Sequence, residues 1–251
     1  MLNSIIHGQS STITPVLIAH GLYGSARNWG AIAKRLSSDR TVTAVDMRNH
    51  GESPWYNRHG YEDMAADLAA VLETPHDVVG HSMGGKAVMA LALTEPDRVR
   101  RLVVADIAPV TYDHTQMPMI EAMRGVDLSQ IVTRRDADEQ LATAIDDASV
   151  RAFLLQSLDV QAKRWRLNLD VLADEMPKII GFPTVNGQFE GPALFLSGAE
   201  SDYVMPEHRA AIKNLFPKAR FAKIPGAGHW LHADQPRAFE AALLAFLDAD
   251  I

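Results

Sequence analysis

Short apolar runs rich in Val, Ile and Leu alternate with stretches of helical period over most of this chain. That rhythm restricts the fold to one class, α/β, because successive parallel strands need crossover helices that cover both faces of the sheet. Val16-Leu17-Ile18-Ala19 reads as a buried strand closed by His20-Gly21, and Thr41-Val42-Thr43-Ala44-Val45-Asp46 as a second, closed by Arg48-Asn49-His50-Gly51. Tyr61, Met64, Ala65, Leu68, Val71 and Leu72 share one helical face, and the helix stops near Pro75. Asp77-Val78-Val79 is a short strand, 84–94 a helix ending before Pro96, and 102–105 the next strand, ending at Asp106. The alternation then breaks. From 109 to 183 the pattern reads as helices, around 118–124, 136–145 and 150–158, while Trp165, Leu167 and Leu169 alternate with polar residues as a strand does. Sheet rhythm returns with 193–196, a helix over 210–216, a strand at 221–224 and a last helix with Phe239, Ala242, Leu243, Phe246 and Leu247 on one face. The expected organisation is therefore a core of 1–108 and 184–251, interrupted by a helical cap insertion at 109–183.

Composition excludes several chemistries. The 251 residues contain no cysteine, so no disulfide, thiolate nucleophile or thiolate metal site can form. With 24 basic against 31 acidic side chains and no basic run, the chain lacks the footprint of a nucleic-acid partner. The longest apolar runs, 87–93 and 241–247, are far shorter than the roughly 20 residues that span a bilayer. Met1-Leu2-Asn3-Ser4 leads into Ile5-Ile6 without a basic start or an apolar signal core, so the expectation is a soluble, cytoplasmic protein.

Gly80-His81-Ser82-Met83-Gly84-Gly85 lies between a strand and a helix, the setting of a G-x-S-x-G turn that lifts a serine hydroxyl above the sheet. Gly80 to Lys86 also reads G-x-x-x-x-G-K, but Ala87 stands where a phosphate-binding loop needs Ser or Thr for magnesium. A serine hydroxyl needs a base to take its proton. Of ten histidines, His229 in Gly226-Ala227-Gly228-His229-Trp230 follows the last strand, where nucleophile–acid–base chain order puts the base. His232, three residues on, has no third ligand for a metal and reads as structural, and no metal or cofactor is expected. The Met83 amide and the Leu22 amide of His20-Gly21-Leu22-Tyr23-Gly24-Ser25 are the candidate oxyanion donors, with His20 a support. The charges of Asp46 to Ser53 read as a turn-fixing network. Two carboxylates can reach the sheet edge as the acid, Asp106 and Asp202. Tyr112, Trp165, Tyr203 and Trp230 are candidate substrate-lining aromatics, with a core role the competing reading for Trp165.

Together these segments resemble the α/β-hydrolase superfamily over essentially the whole chain. More narrowly, the His20 to Ser25, Asp46 to Gly51, Gly80 to Ala87 and Asp106-Ile107-Ala108-Pro109-Val110 segments resemble the bacterial YbfF esterase family. The resemblance implies a serine hydrolase acting on small-molecule esters or thioesters, with a helical cap and no cofactor. It tips the choice of acid toward Asp106, whereas the superfamily more often uses the position of Asp202. Ser82 excludes relatives with an Asp nucleophile. The rivals that remain are a C–C bond hydrolase of the same fold and a binding protein that has kept the fold without turnover.

Overall fold

A computed structural model describes residues 1–250. Seven strands form one sheet: β1 (Ser4–His7), β2 (Val16–Ala19), β3 (Val42–Val45), β4 (His76–His81), β5 (Val99–Ala105), β8 (Ala193–Gly198) and β9 (Ala219–Ile224), in the order β1-β3-β2-β4-β5-β8-β9. All neighbours pair parallel except β1, which runs antiparallel on β3. That edge strand was not legible in the sequence, because only Ile5 and Ile6 carry its signal and Ile6 points to solvent, 65% exposed. Asp77-Val78-Val79 proves to be the centre of a strand twice that length, since Gly80 and His81 continue the ladder against Val104 and Ala105.

The faces of the sheet are covered unequally. On one side Trp29, just before α1 (Gly30–Leu36), joins Leu36 of α1 and Phe239 and Leu243 of α11 (Pro236–Leu247) in packing against Val16, Ile18, Val79 and Val103. The other side carries α2 (Tyr61–Ala69) and α3 (Met83–Thr94). Every residue of α3 from 83 to 93 is buried, so this helix has no solvent face and reads as apolar all round apart from Lys86. Between β5 and β8 the chain leaves the sheet and forms α4 (Met117–Arg124), α5 (Arg134–Leu141), α6 (Ala148–Leu154), a two-stranded ribbon of β6 (Leu158–Asp159) and β7 (Arg164–Trp165), α7 (Leu169–Asp174) and α8 (Met176–Ile180). The alternation of Trp165, Leu167 and Leu169 therefore marks a strand only at its first residue: Leu169 already opens α7. The remaining helices are α9 (His208–Leu215) and α10 (Leu231–Asp234). Among the described residues no helix is long and apolar enough to cross a membrane.

Strand order places the site. Connections from β2 run outward to β3, while β4, β5, β8 and β9 build the other way, so the order reverses between β2 and β4. A crevice opens at such a switch point, at the carboxyl ends of the strands. Ser82 and the loop after β2 lie there.

Candidate active site

Ser82 sits between β4 and α3 with φ 52° and ψ −121°, a left-handed conformation that an L residue adopts only when its surroundings enforce it. The enforcement is visible: the Ser82 amide donates to the Ala105 carbonyl at 3.0 Å, and its carbonyl accepts from the Lys86 amide at 3.0 Å. The flanking glycines are steric necessities. A Cβ on Gly80 would drive into the Gly84 carbonyl, and one on Gly84 into the Ala19 and His20 carbonyls.

His229 reaches this turn from the loop after β9. Its Nε2 lies 3.0 Å from Ser82 Oγ and its Nδ1 2.8 Å from Asp106 Oδ2. These partners assign the tautomer: Nδ1–H donates to the carboxylate and Nε2 accepts the serine proton. The Tyr203 ring stacks on the imidazole at 3.9 Å and 20°, and the His81 ring donates from Nε2 to the His229 carbonyl at 2.8 Å, so both plane and backbone are held. Asp106 itself ends β5 at φ 53°, its side chain fully buried. Oδ1 accepts from the Gly198 amide at 3.1 Å, and Oδ2 accepts also from Ser201 Oγ at 2.5 Å.

The sheet edge thus brings together Ser82, His229 and Asp106 and leaves Asp202 out. Asp202 is exposed, and among the described residues its carboxylate makes no hydrogen bond to His229; its neighbour Ser201 is the group that turns inward. Sequence reasoning missed Ser201 because a loop serine carries no signal of its direction.

These side chains open on a cavity of about 290 Å³ lined by Leu22, Met83, Ile107, Met119, Val150, Phe153, Leu154, Ile179 and Ile180 among others. Leu22, Ser82 and Met83 all line this cavity. The amide of Met83, first residue of α3, has no acceptor in its own helix. In the β2 loop the Tyr23 amide donates to His50 Nε2 and the Gly24 amide to the Gly21 carbonyl, while the Leu22 amide donates to no protein acceptor among the described residues. His20 is buried, with Nδ1 donating to the Gly21 carbonyl at 2.8 Å and Nε2 accepting from the Met47 amide at 2.9 Å; burial holds its pKa down and it braces the loop. Asp46 accepts from the Ala26 and Glu52 amides and from Asn3 Nδ2, a network that fixes the turn after β3.

Tyr112, Tyr203 and Trp230 line the cavity. Trp165 does not, a correction to the expectation above. It is buried in the ribbon with Nε1 donating to the Met123 carbonyl at 2.9 Å, so its ring fills the interior of the segment between β5 and β8. His232 stacks flat on Trp29 at 4.3 Å, and burial pushes its pKa down to about 4; among the described residues no group of three metal-ligating side chains occurs.

Comparison with known proteins agrees with this architecture. The family model for the alpha/beta hydrolase fold matches residues 14–236. The chain is 43% identical over 251 residues to the sn-1-specific diacylglycerol lipase ABHD11 of Mus musculus, covering 94% of this chain and 82% of that protein. It is 40% identical over 240 residues to esterase YbfF of Escherichia coli (strain K12), covering 94% and 93%. A solved marine microorganism esterase superposes with a TM-score of 0.93 at 39% identity, covering 98% of each chain.

Proposed function

Starting from the fact that this chain belongs to the α/β-hydrolase family and is a carboxylic ester hydrolase, we propose that it hydrolyses small to medium acyl esters through an acyl-enzyme on Ser82. The observation that carries the reading is the continuous hydrogen-bonded line from Ser82 Oγ through His229 to Asp106, at 3.0 Å and 2.8 Å. Ser82 Oγ attacks the ester carbonyl carbon while His229 Nε2 takes its proton, and Asp106 stabilises the imidazolium that forms. The oxyanion is held by the Leu22 and Met83 amides, whose N–H groups have no competing partner among the described residues. The carbon–oxygen bond to the leaving alcohol breaks as Nε2–H protonates it. Water then attacks the acyl-serine, gives its proton to His229, and Ser82 is regenerated with release of the acid.

The apolar lining supports an acyl chain as the cavity's occupant, and a volume of about 290 Å³ supports one of modest size. The nucleophile is tested by Ser82→Ala, expected to leave less than about one part in a thousand of wild-type turnover, since oxyanion hole and binding alone sustain only modest catalysis. A serine-directed phosphonate should add mass to the peptide carrying Ser82 and to no other; labelling elsewhere sinks the assignment. A series of acyl lengths on alcohol and thiol leaving groups then reads chain limit and thioester turnover together.

A further inference from the structure

The two stretches of chain by which the β5–β8 segment leaves and rejoins the sheet pass side by side over α3, the Tyr112 amide donating to the Ile180 carbonyl at 3.1 Å. Beneath them lies Lys86, one helical turn after Ser82 and 1% exposed. Its Nζ donates to the carbonyls of Val110 at 2.8 Å, Ile180 at 2.8 Å and Gly181 at 2.5 Å. Three ammonium donors meet three acceptors, one on the outgoing stretch and two on the returning one. The ring of Tyr112 lies 4.7 Å away and that of Tyr61 5.9 Å, and among the described residues no carboxylate pairs with the cation.

A buried cation without a counter-ion is costly, and burial pushes the Lys86 pKa down to about 7. Apolar residues of similar volume often serve stability as well as or better than a buried charge, so packing alone does not account for a lysine here. Its geometry does: no apolar side chain could tie two backbone stretches to the helix that carries the nucleophile. We propose that Lys86 is a positioning residue that fastens both ends of the β5–β8 segment to α3, and so holds the wall formed by Met119, Val150, Phe153 and Leu154 at a set distance from Ser82. This rests on the reading of the cavity as the acyl site.

The test is Lys86→Met, which keeps the stem and removes every donor. Hydrogen exchange read by mass spectrometry should quicken about tenfold or more over 108–113 and 179–183, the stretches that lose the three hydrogen bonds to Nζ, with β2 and β4 unchanged. Per active site titrated by phosphonate, the ratio of kcat/KM for an octanoyl over an acetyl p-nitrophenyl ester should fall about fivefold, mainly through KM. A purely structural role would quicken exchange throughout and lower both esters in proportion. Unchanged exchange over 108–113 and 179–183, or an unchanged ratio, overturns the proposal. Should Lys86→Met not fold, Lys86→Gln, with two donors on a shorter stem, carries both readings. If the wild type hydrolyses neither ester, the esterase reading fails, while exchange still judges the clasp.

Discussion

At the scale of single residues, the site turns on how one carboxylate is held. Asp106 Oδ2 accepts from both His229 Nδ1 and Ser201 Oγ, and Oδ1 from the Gly198 amide, so the group is oriented by three donors from two different loops and β8. Asp106→Asn should cost on the order of ten-thousandfold in turnover, as loss of the orienting carboxylate does in serine proteases. Asp202→Asn, altering an exposed side chain away from His229, should stay within about threefold of wild type. Steady-state kinetics of the two variants decides the matter, and a larger loss at Asp202 would reverse the assignment. Ser201→Ala removes one hydrogen bond to the carboxylate and should lower kcat about tenfold with KM unchanged, the cost of about 1.4 kcal/mol for a charge-assisted bond. A KM effect of equal size would mean instead that Ser201 touches substrate.

At the scale of elements, the β4–α3 turn and the α6 wall make separate demands. Gly84 packs backbone to backbone on the Ala19 and His20 carbonyls, so α3 approaches β2 more closely than any Cβ permits. Gly84→Ala should destabilise the fold by about 1–3 kcal/mol, read as a lower urea midpoint, and should also lower turnover because the clash lies beside the Leu22 loop. On α6, Phe153 packs against Trp230 at a ring separation of 5.4 Å, and both rings line the cavity. Phe153→Ala removes that barrier, and the acyl series should extend to longer chains while acetyl ester turnover falls or stays level. An unchanged length limit would show that α6 does not bound the pocket. Lys86 belongs to the same scale: the motif that looks like most of a phosphate loop is, in the fold, a helix start whose lysine faces three carbonyls.

At the scale of the whole molecule, the distribution of buried histidines governs behaviour in acid. His20, His50 and His59 form one chain of neighbouring rings, at 5.2 and 5.4 Å, and His81, His229 and His232 another, at 4.8 and 4.7 Å. Burial, before any charge effect, lowers the pKa of His20, His50 and His81, takes His59 to about 3 and His232 to about 4. Their folded pKa values lie below the unfolded value near 6.5, so the unfolded state binds more protons in acid. The stability these neutral rings contribute is complete above about pH 6.5 and is lost as pH falls toward 4 and then 3. His59 and His232 should each remove on the order of 1–2 kcal/mol by pH 5, and the lowered pKa values of His20, His50 and His81 act in the same direction, so the urea midpoint should be markedly lower at pH 5.0 than at pH 7.5. A flat profile would mean these rings are not buried neutral.

Much of the site was legible because it is written locally. A G-x-S-x-G run between a strand and a helix demands the Ser82 turn whatever surrounds it, and the apolar runs of 16–19, 42–45 and 193–196 are strands in any parallel sheet. Chain order then pointed to His229. What the order of residues could not decide was direction in space. Asp106 and Asp202 both follow core strands, and only the turn of Asp106 at φ 53°, toward an imidazole 123 positions later, separates them. For Trp165 the sequence left both substrate and core open, and the Met123 carbonyl, 42 residues earlier, decides it by accepting the indole N–H. Lys86 carried a motif but no hint of Val110, Ile180 and Gly181, since backbone carbonyls have no sequence signature. Local sequence determines which backbone conformations and which chemical groups are present. Contacts between distant segments arise only when burial of the two apolar faces closes the sheet between its helices, and so the partner of each polar side chain was left to the tertiary fold.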